Sequence, residues 1–263
     1  MELAIVGAGG MLGRAVVEAA GESAVAFTHA ELDVTDASAV KEALAGFRTV
    51  INCAAWTDVD GAEEHPDEAM RVNCDGARNV AEAAERVLYV SSDYVFDGRK
   101  GEPYTPEDEP NPLSAYGRSK LEGETATKAA NPRHFIVRSS WLFGPGGGNF
   151  VNTMLRLGRE QAHLRVVDDQ HGCPTYTCHL APVLLKLSAT DDYGIHHLAS
   201  ASSCTWYELA REALARVGID VEIEPCTTAE FTRPAPRPAY SVLATDGHRA
   251  LPHWREGVRE YLR

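Results

Sequence analysis

Seven residues near the start, Gly7-Ala8-Gly9-Gly10-Met11-Leu12-Gly13, constrain the fold more than any other stretch. The apolar run L-A-I-V at 3 to 6 leads straight into them, and the amphipathic M-L-G-R-A-V-V-E-A-A at 11 to 20 leads out. A strand that turns through glycines into a helix is the opening of a βαβ unit, and Gly7, Gly10 and Gly13 fall in G-x-x-G-x-x-G spacing. Glycine permits the tight turn and the close approach of a pyrophosphate, whose charge then meets a helix N-terminus. A bare glycine triplet also serves as a structural turn. Its position between the first strand and the first helix favours a dinucleotide.

The rest of the first half repeats the same grammar. Short apolar runs recur at 24–27, 49–53, 87–91 and 134–138, with helical patterns between them at 36–45 and 66–84. That alternation predicts an α/β fold, a doubly wound parallel sheet of Rossmann type, with Asp36 and Pro66 as helix-start signals. After residue 143 the pattern loosens. A glycine hinge, G-P-G-G-G-N, precedes a helix at 150–161, a strand L-R-V-V-D, helices near 179–189 and from Trp206, and a proline-rich R-P-A-P-R-P. The expected division is a nucleotide-binding domain over 1–145 and a smaller mixed α/β C-terminal lobe for substrate over 146–263, with later segments returning to the first domain.

Composition narrows the partners. A formal charge of -13 over 263 residues argues against non-specific nucleic-acid or anionic-membrane binding, both of which draw on clustered Lys and Arg. Six cysteines, at 53, 74, 173, 178, 204 and 226, form no C-x-x-C pair, so reduced thiols are expected rather than zinc or a disulfide framework. The opening M-E-L-A-I-V-G lacks a signal peptide's basic start and long apolar region, so a cytoplasmic location is expected.

Candidate site residues cluster where strands end. The second strand finishes near Phe27-Thr28-His29 with no carboxylate to hold a ribose 2′-hydroxyl, a lean toward NADPH that leaves NADH open. Asp33 could meet the adenine or simply order its own loop. N-C-A-A-W-T-D-V-D at 52–60 leaves the third strand as small residues. Its carboxylates Asp58, Asp60, Glu63 and Glu64 read as a solvated helix start rather than a metal site. S-S-D-Y-V-F-D-G at 91–98 leaves the fourth strand with Ser92 at the same edge, and S-A-Y-G-R-S-K then sets Tyr116 and Lys120 four apart on a new helix. An adjacent ammonium would lower the tyrosine pKa while Ser92 holds a substrate oxygen, which gives Ser92, Tyr116 and Lys120 as the catalytic set. His196-His197 divides between core and surface, and Trp206 and Trp254 read as core anchors of late helices. Arg233 and Arg237 sit in a rigid loop and could meet a diphosphate.

These motifs together resemble the extended short-chain dehydrogenase/reductase family, and within it the dTDP-4-dehydrorhamnose reductases. S-S-D-Y-V-F-D-G, R-S-S-W-L-F-G and D-D-Q-H-G-C-P-T carry the resemblance, which runs along nearly the whole chain. It implies hydride transfer from NADPH or NADH to the C4 ketone of a dTDP-linked 6-deoxy-hexulose. Tyr116 would be the proton donor, with Ser92 where the family usually has threonine. It implies cofactor contacts from Gly7, Gly10, Met11, Leu12, Gly13, Asp33, Val34, Ala54 and Ala55, with Tyr116 and Lys120. Substrate contacts would come from Thr57, Val59, Asp93, Tyr94 and Trp141. Some members are described as magnesium-dependent dimers, so a homodimer is one implied assembly; no glutamate cluster maps here for Mg2+, and no metal site is assigned. Asp58 and Cys173 depart from the family pattern, and an inward Asp58 would repel a diphosphate. The alternatives are another nucleotide-sugar 4-ketoreductase, an epimerase or dehydratase of the same superfamily, and a non-catalytic subunit like the regulatory subunit of methionine adenosyltransferase.

Overall fold

A computed structural model describes residues 2–245 and 249–263. In its first half β1 (Leu3–Val6), α1 (Met11–Ala20), β2 (Ala24–Phe27), α2 (Ala37–Ala43) and β3 (Thr49–Asn52) follow the expected pattern closely. Then come two short helices, α3 (Gly61–Glu64) and α4 (Pro66–Met70), followed by α5 (Gly76–Ala83), β4 (Arg86–Ser92), α6 (Ala115–Ala130) and β5 (His134–Ser139). Asp36 caps α2 by accepting from the amides of Ser38 and Ala39, and Pro66 opens α4.

Six strands form one parallel sheet in the order Gly194–His197, β5, β4, β3, β1, β2. Its two faces take alternate residues, as a period of two demands. Ile5, Ile51, Leu88 and Phe135 pack with Val16 of α1 and Leu180 and Leu184 of the helix Thr177–Ser188. Ala4, Val50 and Val87 pack on the other side with Val40 of α2 and Val80 of α5. The strand order reverses beside β1, between β2 and β3, and ligands of such sheets bind outside the carboxyl ends of the strands at that point. The glycine turn leaves β1 there.

The helical pattern expected over 66–84 is interrupted. Residues Arg71–Asp75 form a π turn between α4 and α5, an extra residue that a 3.6-residue periodicity does not register. It serves a contact: the Asn73 side chain accepts from the Trp56 amide at 2.9 Å and donates to the Trp56 carbonyl at 3.1 Å and to Ser119 Oγ at 2.9 Å. The loop after β3 is thereby tied to α6.

In the second half, helices Phe150–Glu160 and Trp206–Arg216 pack on a parallel pair, His163–Val167 with Glu222–Cys226, around Met154, Leu155, Val166, Leu209 and Leu214. Trp254 is fully buried in the same core, as expected, and His197 is buried in the main sheet with His196 partly exposed. Two later segments rejoin the first half: the strand Gly194–His197 extends the sheet beyond β5, and the helix Thr177–Ser188 lies on α1. No helix among the described residues is long and apolar enough to cross a membrane.

Candidate active site

At the switch point the backbone itself makes the site. Gly7 has φ +75°, and a Cβ there would stand 2.4 Å from the Ala54 amide nitrogen; one on Gly13 would stand 2.2 Å from the Gly7 carbonyl oxygen. The turn can therefore press against β3 only as glycine. Gly10 is the N-cap of α1 with no side-chain cap, and the first turn carries no acidic residue, so its amides are open to an anion. A cavity of about 200 Å3 holds Gly7, Gly10, Asp33, Val34, Ala54 and Ala55, and an adjoining one of about 520 Å3 holds Gly10, Met11, Leu12, Gly13 and Ala55. A cradle of glycines beside an uncapped helix start fits a dinucleotide. Asp33 is committed to the Thr35 amide and hydroxyl, which hold its carboxyl below the usual range. Glu31, overlooked in the sequence, folds back on Thr28 and accepts from its amide and hydroxyl at 2.8 and 2.7 Å. That carboxylate is taken up by its own loop and does not line the cavity beside Gly7, so the lean toward NADPH stands.

The same larger cavity contains Ser92, Tyr116 and Lys120, together with Thr57, Val59, Asp93, Tyr94 and Trp141. They come from the loop after β3, the end of β4, the start of α6 and the loop after β5. The Ser114 hydroxyl caps α6 through the Gly117 amide, and Glu63 accepts from the Ala115 amide at 2.7 Å. Gly117 lets this helix approach closely, since a Cβ there would lie 2.3 Å from the Tyr94 carbonyl oxygen. Tyr116 is delivered beside Tyr94, ring centroids 6.0 Å apart and edge to face.

The electrostatics differ from the expectation that Lys120 lowers the Tyr116 pKa. Desolvation pushes Tyr116 up to about 12, with Ser92 hydrogen bonding pulling the other way and Asp93 adding to the rise. Lys120 is 1% exposed, donates to the Val90 carbonyl at 2.7 Å and lies 4.2 Å from the Tyr89 ring centroid. Burial brings it down to about 7 against the pull of Glu124. Glu124, one turn further along α6, is itself bound at both oxygens by Arg138, at 2.9 and 2.7 Å, and accepts from Ser91 Oγ at 2.6 Å. This buried pair anchors α6 to β4 and β5 behind the site.

Asp93 is 2% exposed and takes the hydroxyls of Ser92, Ser140 and Ser241 at 3.2, 3.2 and 2.5 Å. Burial raises its pKa to about 6, the three hydroxyls opposing. Trp141 holds a left-handed φ of 47° and stacks on Trp206, centroids 3.4 Å apart and planes 5° from parallel. Trp206 packs against the core of the second half, as expected of an anchor, and also lines the cavity of Ser92 and Tyr116 and a second cavity of about 520 Å3 bounded by Phe150, Arg165, Gln170, Phe231, Arg233 and Arg237. Tyr94 also borders both. Gly147 and Gly148 of the glycine hinge line the catalytic cavity as well, where the sequence had suggested only a joint.

The acidic loop after β3 divides: Glu64 is exposed to solvent as expected, while Asp58, Asp60 and Glu63 accept hydrogen bonds within the chain. Asp58 is exposed, does not line the cavities described above, and accepts from the Gly61 amide at 2.9 Å. Asp60 accepts from both Arg233 and Arg237, so the two arginines meet a carboxylate of the chain itself. Cys173 is buried, its thiol pushed up to about 12 by desolvation, and its amide donates to Ser140 Oγ.

A glycine turn at this switch point, with a Tyr-x-x-x-Lys helix arriving over the ends of β3 and β4, places the chain among the extended short-chain dehydrogenases/reductases. Within them it belongs to the RmlD substrate binding domain family, which it matches over residues 1–263. It is 41% identical to a dTDP-4-dehydrorhamnose reductase of Streptomyces griseus, over 97% of this chain and 91% of that protein. It is 39% identical to a dTDP-4-keto-6-deoxy-D-glucose reductase of Streptomyces niveus, over 97% and 94%. A crystal structure of dTDP-4-dehydrorhamnose reductase from Bacillus anthracis in complex with NADP superposes with a TM-score of 0.95 at 38% identity, covering 99% of both chains.

Proposed function

We propose that the chain reduces the C4 ketone of dTDP-4-dehydro-L-rhamnose to give dTDP-L-rhamnose, with NADPH as cofactor. The observation that carries the reading is the convergence of Ser92, Tyr116 and Lys120 on one cavity with the glycine turn on one side and Trp141 on the other. Residues Gly7, Gly10, Met11, Leu12, Gly13, Asp33, Val34, Ala54 and Ala55 would hold the dinucleotide, and Thr57, Val59, Asp93, Tyr94 and Trp141 the sugar. Residues from 146 onward mainly form the substrate side, with the second cavity taking the nucleoside.

A bound reduced nicotinamide supplies the hydride. The chain supplies the proton, and here the raised Tyr116 pKa helps: at neutral pH the phenol is protonated, which a donor to a developing alkoxide must be. Ser92 Oγ, fixed by accepting from the Tyr94 amide at 3.1 Å, would turn its proton from Asp93 to the C4 oxygen and hold it beside Tyr116. Lys120 lies one helical turn on, donates to the Val90 carbonyl at 2.7 Å and would hold the nicotinamide ribose.

The test is nicotinamide absorbance loss with purified protein, NADPH and dTDP-4-dehydro-L-rhamnose, repeated with NADH and with other dTDP-4-keto sugars. Tyr116→Phe should lower kcat by about 10²- to 10⁴-fold, the usual worth of a general acid. Turnover no faster than that variant would defeat the reading, and faster turnover of a different keto sugar would reassign the substrate. The relatives' names differ in the sugar, so the panel decides it.

A further inference from the structure

Resting on the nucleotide-sugar reading above, the next question is which cation meets the substrate's two phosphates in a chain of net charge -13. Lys120 lines the catalytic cavity, and Arg165, Arg233 and Arg237 line the second. A sugar at Tyr116 and a nucleoside in the second cavity would put the diphosphate between them, where Tyr94 and Trp206 border both spaces. Arg233 and Arg237 stand on that side, and both hold Asp60.

They hold it differently. Arg237 grips the carboxylate with a fork, Nη1 to Oδ1 and Nη2 to Oδ2 at 3.0 Å each, and donates to the Ala235 carbonyl at 2.8 Å. Its side chain is 13% exposed. Arg233, 50% exposed, brings Nε and Nη2 onto the single oxygen Oδ2, which Arg237 already uses. Take Arg233 away and Asp60 still has the Arg237 fork and the Ala235 amide at 3.1 Å. Take Arg237 away and Asp60 and the Ala235 carbonyl both lose a mostly buried partner. A guanidinium crowded onto a shared oxygen gains by moving to phosphate oxygens that accept a full fork.

We infer that Arg233 is the cation that moves onto the substrate diphosphate, that Asp60 holds its place until then, and that Arg237 is the fixed strut beside it. The arrangement keeps a positive group at the cavity mouth without leaving it unpaired in the free protein. It also discriminates: a nucleoside without phosphates has nothing to offer Arg233.

Calorimetric titration with thymidine 5′-diphosphate, and with thymidine for comparison, separates this inference from the catalytic reading because no turnover is needed. Arg233→Gln should weaken diphosphate binding about ten- to a hundred-fold, the worth of a lost charge-assisted pair, and leave thymidine binding unchanged. Its Tm should stay within about 2 °C of wild type, as for a half-exposed side chain. Arg233→Lys should recover part of the loss, and the salt dependence of diphosphate binding should flatten in Arg233→Gln. Equal diphosphate binding by wild type and Arg233→Gln overturns the assignment while leaving the reductase reading intact. So does a loss that follows Arg165→Gln instead, or no diphosphate binding by the wild type. Arg233-dependent diphosphate binding without turnover upholds the assignment and counts against the reductase.

Discussion

The two halves of the cleft are built from different materials. On the cofactor side the walls are backbone: Gly7 against Ala54, Gly13 against Gly7, and an uncapped helix start. On the substrate side they are side chains drawn from Ser92, Asp93, Tyr94, Tyr116, Trp141, Trp206 and the arginine loop. Backbone walls are fixed by the fold, so the cofactor half cannot be altered without disturbing the sheet. Side-chain walls can change one residue at a time.

That contrast is broken most severely at Gly7. Alanine there must hold a left-handed φ and place its methyl 2.4 Å from the Ala54 amide nitrogen. The conformation costs about 1–2 kcal/mol and the overpacking about 1–3, so Gly7→Ala should lose roughly 2–5 kcal/mol of stability. NADPH affinity and Tm should fall together, read by titration and thermal melting of the same samples. A variant with normal Tm and weak NADPH binding would mean that the glycine serves the ligand rather than the packing, and the two halves would then be alike.

The legibility of the two halves follows from the same difference. The cofactor half lies in consecutive residues: seven of them state strand, turn and helix, and β1 to β5 each fall within a residue or two of an apolar run. Asp36 and Pro66 announced their helices because caps act within one turn. The substrate half depends on pairs that sequence distance hides. Asp60 meets Arg233 across 173 positions, and no local pattern links them. Trp206 follows Thr205, whose capping box with Glu208 marks a helix start, and a tryptophan there looks like core; only the fold lays it flat on Trp141. The environment of Lys120 is hidden from sequence for a related reason. Spacing set it one turn from Tyr116, whereas its protonation depends on burial and on Glu124, already bound by Arg138.

On the substrate side Asp93 can be altered through its charge rather than its shape. Its pKa stands at about 6 in the folded chain, above the unfolded 3.8, so the native state holds a proton that the unfolded state has released. The resulting stabilisation is complete below the unfolded value and is lost as pH rises through the folded one. The shift corresponds to about 3 kcal/mol. Asp93→Asn cannot ionise, so the stability difference between variant and wild type, from denaturant melts at pH 4 to 7, should move in favour of the variant by up to that amount as pH rises. A difference that stays constant across the range would mean that the three serine hydroxyls offset the burial of the charge.

The smallest expected effect tests whether a substrate wall can be changed without disturbing the fold. Trp206 is partly exposed, stacks on Trp141 and donates from Nε1 to Gln170 Oε1 at 3.1 Å. Replacing it with leucine removes a stack worth about 0.5–1.5 kcal/mol and one face of the passage between the two cavities. KM for the nucleotide sugar should rise about three- to ten-fold, because a lost wall contact to the substrate is felt equally in bound substrate and transition state and kcat then holds nearly constant. NADPH affinity should not change, since Trp206 touches none of the backbone walls. Should kcat fall with KM unchanged, Trp206 would be acting on the reacting sugar through Trp141, and the substrate half would be coupled as tightly as the cofactor half is by its glycines.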